Sequence, residues 1–263
     1  MSLFDQITIL YEDDHILAIN KPAGIMVHSD GRFEGKTLAD WILETRPTMK
    51  DVGEPIVLNQ EAEIKSEDSD DSSQSSTQNT SIPRPGIVHR IDRDTSGALL
   101  LAKNQEAFLS LKHQFKEREI RKEYHCFVYG SLTKDFGTID IPIGRSRSDF
   151  RKWSADPRAR GELRDASTYY EVIKKGKEAT FIKALPKTGR THQIRVHFKA
   201  IHHPIVSDAL YARNQPHILG FERVALHAFS IEWKGLDGEL HHIEAPYPAD
   251  FVEAIRLFEA NTA

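Results

Sequence analysis

HRIDRDTSG at positions 89–97, followed directly by ALLLA at 98–102, sets a charged cluster at the mouth of a strand that reads as fully buried. Asp92 stands between Arg90 and Arg93, and Thr95-Ser96-Gly97 turns the chain into the apolar run. Ionised side chains are costly beside a buried strand, so stability alone is a poor reason to keep them there. Flanking guanidiniums hold a carboxylate ionised and can also grip phosphate through a planar fork. The stretch predicts an ionised acid that works beside a polyanion.

Outward from this stretch the elements alternate. Runs rich in β-favouring residues occur at 15–19, 98–102, 124–129, 167–173, 179–185 and 226–233. Phe108, Leu111 and Phe115 recur at helical spacing within 105–119. Ile194, His197 and Ile201 share one face of a helix over 191–201, and Phe251, Ile255 and Phe258 do so over 249–258. Strands with dispersed helices, and no long βαβ alternation, predict an α+β fold: a mixed, mainly antiparallel central sheet with flanking helices.

At 263 residues and 39% apolar content the chain can bury a substantial core, read here as one domain over 1–263. No apolar run is long enough to span a membrane, and no basic-then-apolar leader is present. The single cysteine, Cys126, allows no internal disulfide and fits a reducing cytoplasm. It lies in an apolar strand and reads as a packed core thiol. The net charge of −4 needs locating before it is used. Residues 51–80 carry eight acids against Lys65, which leaves 34 bases and 31 acids in the remainder. Within 61–81, an acidic, Ser-rich stretch, the segment SEDSDDSSQSSTQNTS (66–81) has too little apolar content to order itself. It is expected to be a disordered insertion within the domain.

The spacing of the opening motif resembles that of the RluA-type pseudouridine synthases, whose HRLD-x-x-TSG signature carries one aspartate. The resemblance extends to NKPAGIMVH (20–28), Lys122-Glu123-Tyr124 with Gly130, and TGRTHQIRVH (188–197). It continues through His202-Pro204-Ile205 with Asp208, Leu226-His227-Ala228 and Ala245-Pro246. Ser207 departs from the pattern, standing where the family has glycine. These motifs, in the right order, cover nearly the whole chain. The resemblance implies a catalytic domain of two lobes with an active-site cleft across its middle. Some relatives add a small N-terminal RNA-binding domain. Here the first core motif begins by residue 20, so that domain is expected to be absent and a monomer to suffice.

The implied reaction breaks the glycosidic bond of a uridine in structured ribosomal or transfer RNA, rotates the base and rejoins it through carbon 5. Nothing is oxidised or hydrolysed, so no cofactor or metal is expected. The resemblance makes Asp92 the reacting acid, by attack on the anomeric carbon or by removal of a sugar proton. It makes Arg195 the cation paired with that acid. Desolvation would otherwise push the carboxylate toward protonation, and an arginine cannot lose its charge. Tyr124 is implied as the platform for the base, Arg90 as a residue that helps extrude the nucleotide, and Leu226 as the apolar contact below it. Lys21 is expected to contact phosphate or to support the cleft, and Arg190 and His192 to lie with the substrate.

Two basic regions read as RNA footprint. Residues 112–122 bear Lys112, Lys116, Arg118, Arg121 and Lys122. Residues 145–164 bear seven bases, including Arg151 and Lys152, with Phe150 and Trp153 interleaved in an expected loop, a composition suited to single-stranded RNA. His192 and His197 are five residues apart, about 140° around a helix, which is poor geometry for one ion. Two other functions remain open on sequence grounds. A catalytically silent RNA-binding or chaperone protein on this fold would have no need of Asp92, and a hydrolase would release free uracil. Deletion of residues 66–80 is expected to leave the thermal melt essentially unchanged; a large fall in melting temperature would make the segment structural.

Overall fold

The computed structural model describes residues 2–29, 33–60 and 78–261. Strands β1 (Thr8–Glu12) and β2 (Ile16–Lys21) form an opening hairpin. At its turn Asp13 Oδ1 accepts the amide protons of His15 and Ile16 at 2.7 and 2.6 Å. Helix α1 (Leu38–Thr45) starts at a capping box in which Thr37 and Asp40 satisfy each other's backbone amides. Strands β3 (Ile56–Gln60) and β4 (Gln78–Ile82) pair as a separate hairpin. Next come β5 (Ser96–Ala102), α2 (Gln105–Glu117), β6 (Arg121–Tyr129) and β7 (Phe136–Asp140). Strands β8 (Ile143–Arg145), β9 (Trp153–Ser154) and β10 (Arg160–Arg164) make a small sheet of their own. The chain closes with β11 (Ser167–Lys175), β12 (Ala179–Pro186), α3 (Gln193–Ala200), β13 (Leu226–Lys234), β14 (Leu240–Glu244) and α4 (Ala249–Ala260).

Among the described residues nine strands form the central sheet, in the order β1-β2-β5-β13-β6-β12-β11-β7, with β14 also on β13. All its pairings are antiparallel except that of β5 with β13. The expected mixed, mainly antiparallel α+β architecture is the one found. The period-2 alternation of strands sends Leu17, Ile19, Leu99 and Leu101 to one face, against Leu38 and Ile42 of α1. Ile16, Ala18, Ala98 and Leu100 go to the other face, against Phe108 and Leu111 of α2. Covered on both faces, β5 had to be apolar throughout. A second core lies past β13, where Phe127, Phe181, Phe198, Phe221 and Phe251 come together between β6, β12, α3 and α4. Tyr124 packs against the cores of both halves.

One expectation is corrected, and a second falls mostly outside the described residues. The arginine-rich run 145–164, read as a loop, contains paired strands: Arg160 is in register with Arg145, and Arg145 with Trp153. β10 is exposed along its length, and β8 and β9 are three and two residues long, too short to show the alternation on which strand reading depends. The insertion expected over 61–81 lies outside the described residues for 61–77, while its last residues belong to β4, paired with β3. Among the described residues no helix is long and apolar enough to cross a membrane.

The parallel junction is short, with His227 opposite Ser96 and Ala228 opposite Gly97. Gly97 has φ of +115°, and a Cβ there would lie 2.2 Å from the carbonyl oxygen of Ala228. Both the backbone angle and the neighbouring strand therefore demand glycine. Gly97→Ala is expected to cost about 2–4 kcal/mol, measured by urea or thermal unfolding; an unchanged midpoint would refute this account of the junction.

Candidate active site

Asp92 sits on the turn that enters β5, and three elements hold that turn. Lys21 Nζ and the Gly24 amide donate to the carbonyl of Arg93 at 3.0 and 2.8 Å. Arg223 Nη1 donates to the carbonyl of Asp94 at 3.0 Å, while its Nη2 reaches Ser96 Oγ at 3.1 Å. The same guanidinium forks onto Asp250 of α4 at 2.7 and 3.0 Å. Across the parallel junction, Ser96 Oγ meets His227 Nδ1 at 2.9 Å.

The carboxylate of Asp92 receives Arg195 Nη1 at 2.9 Å. Arg195 projects from α3 and simultaneously forks onto Asp208, with Nε to Oδ2 at 2.7 Å and Nη2 to Oδ1 at 2.9 Å. Side-chain exposure is 8% for Arg195 and 0% for Asp208, against 19% for Asp92. Asp208 Oδ1 also accepts the amides of Leu210 and Tyr211 at 2.9 and 3.1 Å. Burial pulls the Arg195 guanidinium down, but Asp208 and then Asp92 raise it well above its ordinary value. Burial pushes the Asp92 carboxyl up, and His192, Arg195 and Arg90 together outweigh it, leaving Asp92 below the usual carboxylate range. Burial also holds His192 below its ordinary value, so at neutral pH the two guanidiniums supply the positive charge.

Asp92 and Arg195 line a cavity of about 490 Å³ with Tyr124, Leu226, Arg90, Arg190 and His192. Burial, and then the charge of Asp92, raise the Tyr124 hydroxyl far above neutrality, so it stays protonated. Arg90 is exposed at the rim, with Nη1 3.4 Å from His28 Nε2. Arg190 donates through Nε to the carbonyl of Asp165 at 3.0 Å. Lys116, Arg118, Lys122 and Lys187 also face the cavity, and among its described lining residues Asp92 is the one carboxylate. From the first basic region, Lys112 and Arg121 instead pair with Glu54 and Glu232.

Three of the expected site residues are placed differently. Lys21 is fully buried and gives its three protons to the carbonyls of Pro22, Ile25 and Arg93 at 2.9, 3.0 and 3.0 Å. It supports the cleft from beneath and has no surface to offer a phosphate. Burial pulls its ammonium down to about 7, an effect that nearby Asp94 and Asp92 partly oppose. Arg151 and Lys152 are absent from the Asp92 cavity. Arg151 forks onto Asp149 at 3.0 and 2.9 Å, and Lys152 lines a separate groove with Trp153 behind α3. Of the other histidines, His197 uses both ring nitrogens, on Thr168 Oγ1 at 2.9 Å and the carbonyl of Ile141 at 3.0 Å, and has none left for a metal.

Sequence reasoning passed over Asp208 as a site residue, although it was quoted within a motif, and it missed Tyr211 and Arg223. Asp208 was findable as a lone acid in an apolar turn. Tyr211 and Arg223 carried no local signal, since their partners are distant in sequence.

A family model described as RNA pseudouridylate synthase matches residues 15–200. An uncharacterized RNA pseudouridine synthase of Mycobacterium bovis is 35% identical over 256 residues, covering 95% of this chain and 72% of the relative. A ribosomal large subunit pseudouridine synthase D of Xanthomonas campestris is 32% identical over 269 residues, covering 98% of this chain and 71% of the relative. The solved structure of Human RNA Pseudouridylate Synthase Domain Containing 4 shares the fold, with a TM-score of 0.68 at 20% identity over 95% of this chain and 92% of its own.

Lys21→Met would remove the donor from the carbonyls of Pro22 and Ile25 and leave that of Arg93 with the Gly24 amide alone. It is expected to lower stability by about 2–4 kcal/mol while leaving the salt dependence of RNA binding unchanged. A phosphate contact would instead reduce the slope of log affinity against log salt by about one with little loss of stability.

Proposed function

The chain belongs to the RNA pseudouridylate synthase family and isomerises uridine to pseudouridine in RNA; from that premise we propose that Asp92 is its reacting acid and large-subunit ribosomal RNA its substrate. The observation that supports the acid best is the 2.9 Å pair of Asp92 with Arg195 in a cavity where Asp92 is the one carboxylate among the described lining residues. An ionised acid without a competing carboxylate has the means to act on an anomeric carbon. The surrounding lysines and arginines complement the phosphates of the incoming strand.

In the proposed sequence the target nucleotide leaves its stack and enters the cavity, while Arg90 at the rim takes up the vacated space. Tyr124 and Leu226 sandwich the base. Asp92 either attacks the anomeric carbon or removes the neighbouring sugar proton. In both routes the bond from that carbon to nitrogen 1 breaks, and its electron pair leaves with the uracil. The base rotates, and carbon 5 bonds to the anomeric carbon as the bond to Asp92 breaks or, on the second route, as the sugar carbon takes its proton back from Asp92. The proton on carbon 5 departs to water, and nitrogen 1 takes one up from water. Oxidation states and atom count are conserved. Arg195 keeps Asp92 ionised and in one orientation until it reacts. The ribosomal assignment follows the names of relatives such as the large subunit pseudouridine synthase D of Xanthomonas campestris.

Tritium release from RNA labelled at carbon 5 of uridine tests both parts. Release from unmodified large-subunit ribosomal RNA by wild type, abolished in Asp92→Asn with RNA affinity little changed, is the expected outcome. Activity retained by Asp92→Asn would remove the acid from its role, and release from transfer RNA alone would overturn the substrate.

A further inference from the structure

Tyr211 is buried behind Arg195 and joins three parts of the molecule. Its ring lies 5.1 Å from the Arg195 guanidinium carbon, and its amide is bound by Asp208 at 3.1 Å. Its hydroxyl oxygen accepts the amide proton of Trp153 at 2.9 Å and stands 2.9 Å from His192 Nδ1. One assignment of protons along this chain leaves the Tyr211 hydroxyl proton with an acceptor. A phenol has one proton to give. The Trp153 amide is itself a donor, so the hydroxyl proton has one acceptor among the described residues, His192 Nδ1. Burial raises the Tyr211 hydroxyl well above its ordinary range, which keeps that proton in place. A neutral imidazole that accepts at Nδ1 carries its own proton on Nε2.

Nε2 of His192 has no partner among the described residues, and the ring lines the same cavity as Asp92. The backbone at His192 is left-handed, with φ of 57° and ψ of 19°, at the start of α3. A side chain at such an angle costs about 1–2 kcal/mol. The strain sets the imidazole over the cavity while its carbonyl still accepts the amide of Val196 at 2.9 Å. His192 is therefore held as a fixed hydrogen-bond donor with no acceptor among the described residues.

We propose that His192 is a further catalytic residue whose Nε2–H donates to O2 of the flipped uracil, and that Tyr211 is the positioning residue that sets this tautomer. The inference rests on the isomerase reading above. Asp92 must face the anomeric carbon, and O2 is the uracil carbonyl adjacent to the glycosidic nitrogen, so a donor beside Asp92 meets O2 first. When the glycosidic bond breaks, its electron pair remains on the base and spreads to the carbonyl oxygens. A donor already aimed at O2 stabilises the departing uracil anion without reorganising. No proton is transferred, since His192 gives a hydrogen bond and keeps its hydrogen.

The test is single-turnover isomerisation of a short RNA taken from whichever RNA releases tritium, made with uridine or with 2-thiouridine at the target. Sulfur is a weak acceptor. Wild type, His192→Phe, His192→Gln, Tyr211→Phe and the His192→Phe/Tyr211→Phe double variant are compared, with RNA affinity and thermal melts measured alongside. Removing one such donor slows the chemical step about 10²–10³-fold in enzymes where this has been measured, and His192→Phe is expected near that range with RNA affinity retained. Tyr211→Phe, which keeps the ring over Arg195, is expected to slow turnover less. It should have no further effect once His192 is Phe. His192→Gln, whose side-chain amide still has a donor, should recover part of the rate. Wild type should discriminate against 2-thiouridine, and His192→Phe should not.

A purely structural role for either residue would slow both substrates equally and make the two substitutions multiply. That pattern, or a full rate in His192→Phe, overturns the proposal. Should Tyr211→Phe fail to fold, the sulfur discrimination of His192→Phe and the rescue by His192→Gln still decide. An active Asp92→Asn would strike instead at the reading on which the proposal stands.

Discussion

The guanidinium of Arg195 faces two carboxylates at once, and much of the site's geometry follows from keeping those three charges together. Asp208 is fully buried and takes two of the Arg195 donors, while Asp92 takes a third from the cavity side. A guanidinium has five donors in a fixed plane, which suits two acceptors on different edges; a lysine in its place would serve neither with the same geometry. Asp208 in turn is secured by the amides of Leu210 and Tyr211. The arginine is thus positioned from behind, independently of Asp92. That asymmetry matters for chemistry. Asp92 can shift its charge toward a substrate without releasing Arg195, because the Asp208 fork remains.

The position of this triad in the sheet has a topological cause. The parallel pair β5–β13 interrupts an otherwise antiparallel sheet and has few ladder contacts. The loops that enter β5 and β13 therefore emerge on the same side, bringing Asp92 and Leu226 to one cavity. A short junction needs additional ties. Lys21 from β2, Arg223 ahead of β13 and His227 within it supply them, each bonded to the 93–96 turn or its neighbour. Buried cations are costly unless fully paired. Lys21 meets that condition with three carbonyls, and Arg223 with Asp250 together with the Asp94 carbonyl.

How much of this was legible depended on whether a signal was local. The run ALLLA announced a strand covered on both sides, and the 3.6-residue spacing of Phe108, Leu111 and Phe115 announced α2. The edge strands β1, β7 and β14 escaped because one exposed face leaves too few apolar residues to count. Helix α1 had a readable Thr37–Asp40 capping box that went unused. Lys21 could not be resolved between phosphate and support, because its three acceptors are made by the folding of the 22–25 and 93 segments around it. Ser207, flagged as a departure from glycine, does adopt a left-handed backbone, with φ of 55°. Its hydroxyl compensates by donating to the carbonyl of Phe221 at 2.8 Å, a bond glycine could not make. The substitution is thus accommodated with the turn preserved.

The net charge of the chain was a poor guide because charge acts locally in a low-dielectric cleft. A negative total coexists with a cavity whose described lining has several lysines and arginines and one carboxylate. Such a cavity creates a difficulty of its own. Every phosphate that enters raises the electrostatic cost of an ionised Asp92 and pulls its pKa upward. The rim cations answer the phosphates, and solvent and salt screen that exchange. Arg195 lies beneath, 8% exposed, where screening is weak and its attraction for Asp92 persists. Two tiers of positive charge therefore divide the work: screened side chains at the rim neutralise the strand, and one buried guanidinium, forked onto Asp208, holds the acid ionised after the strand has arrived.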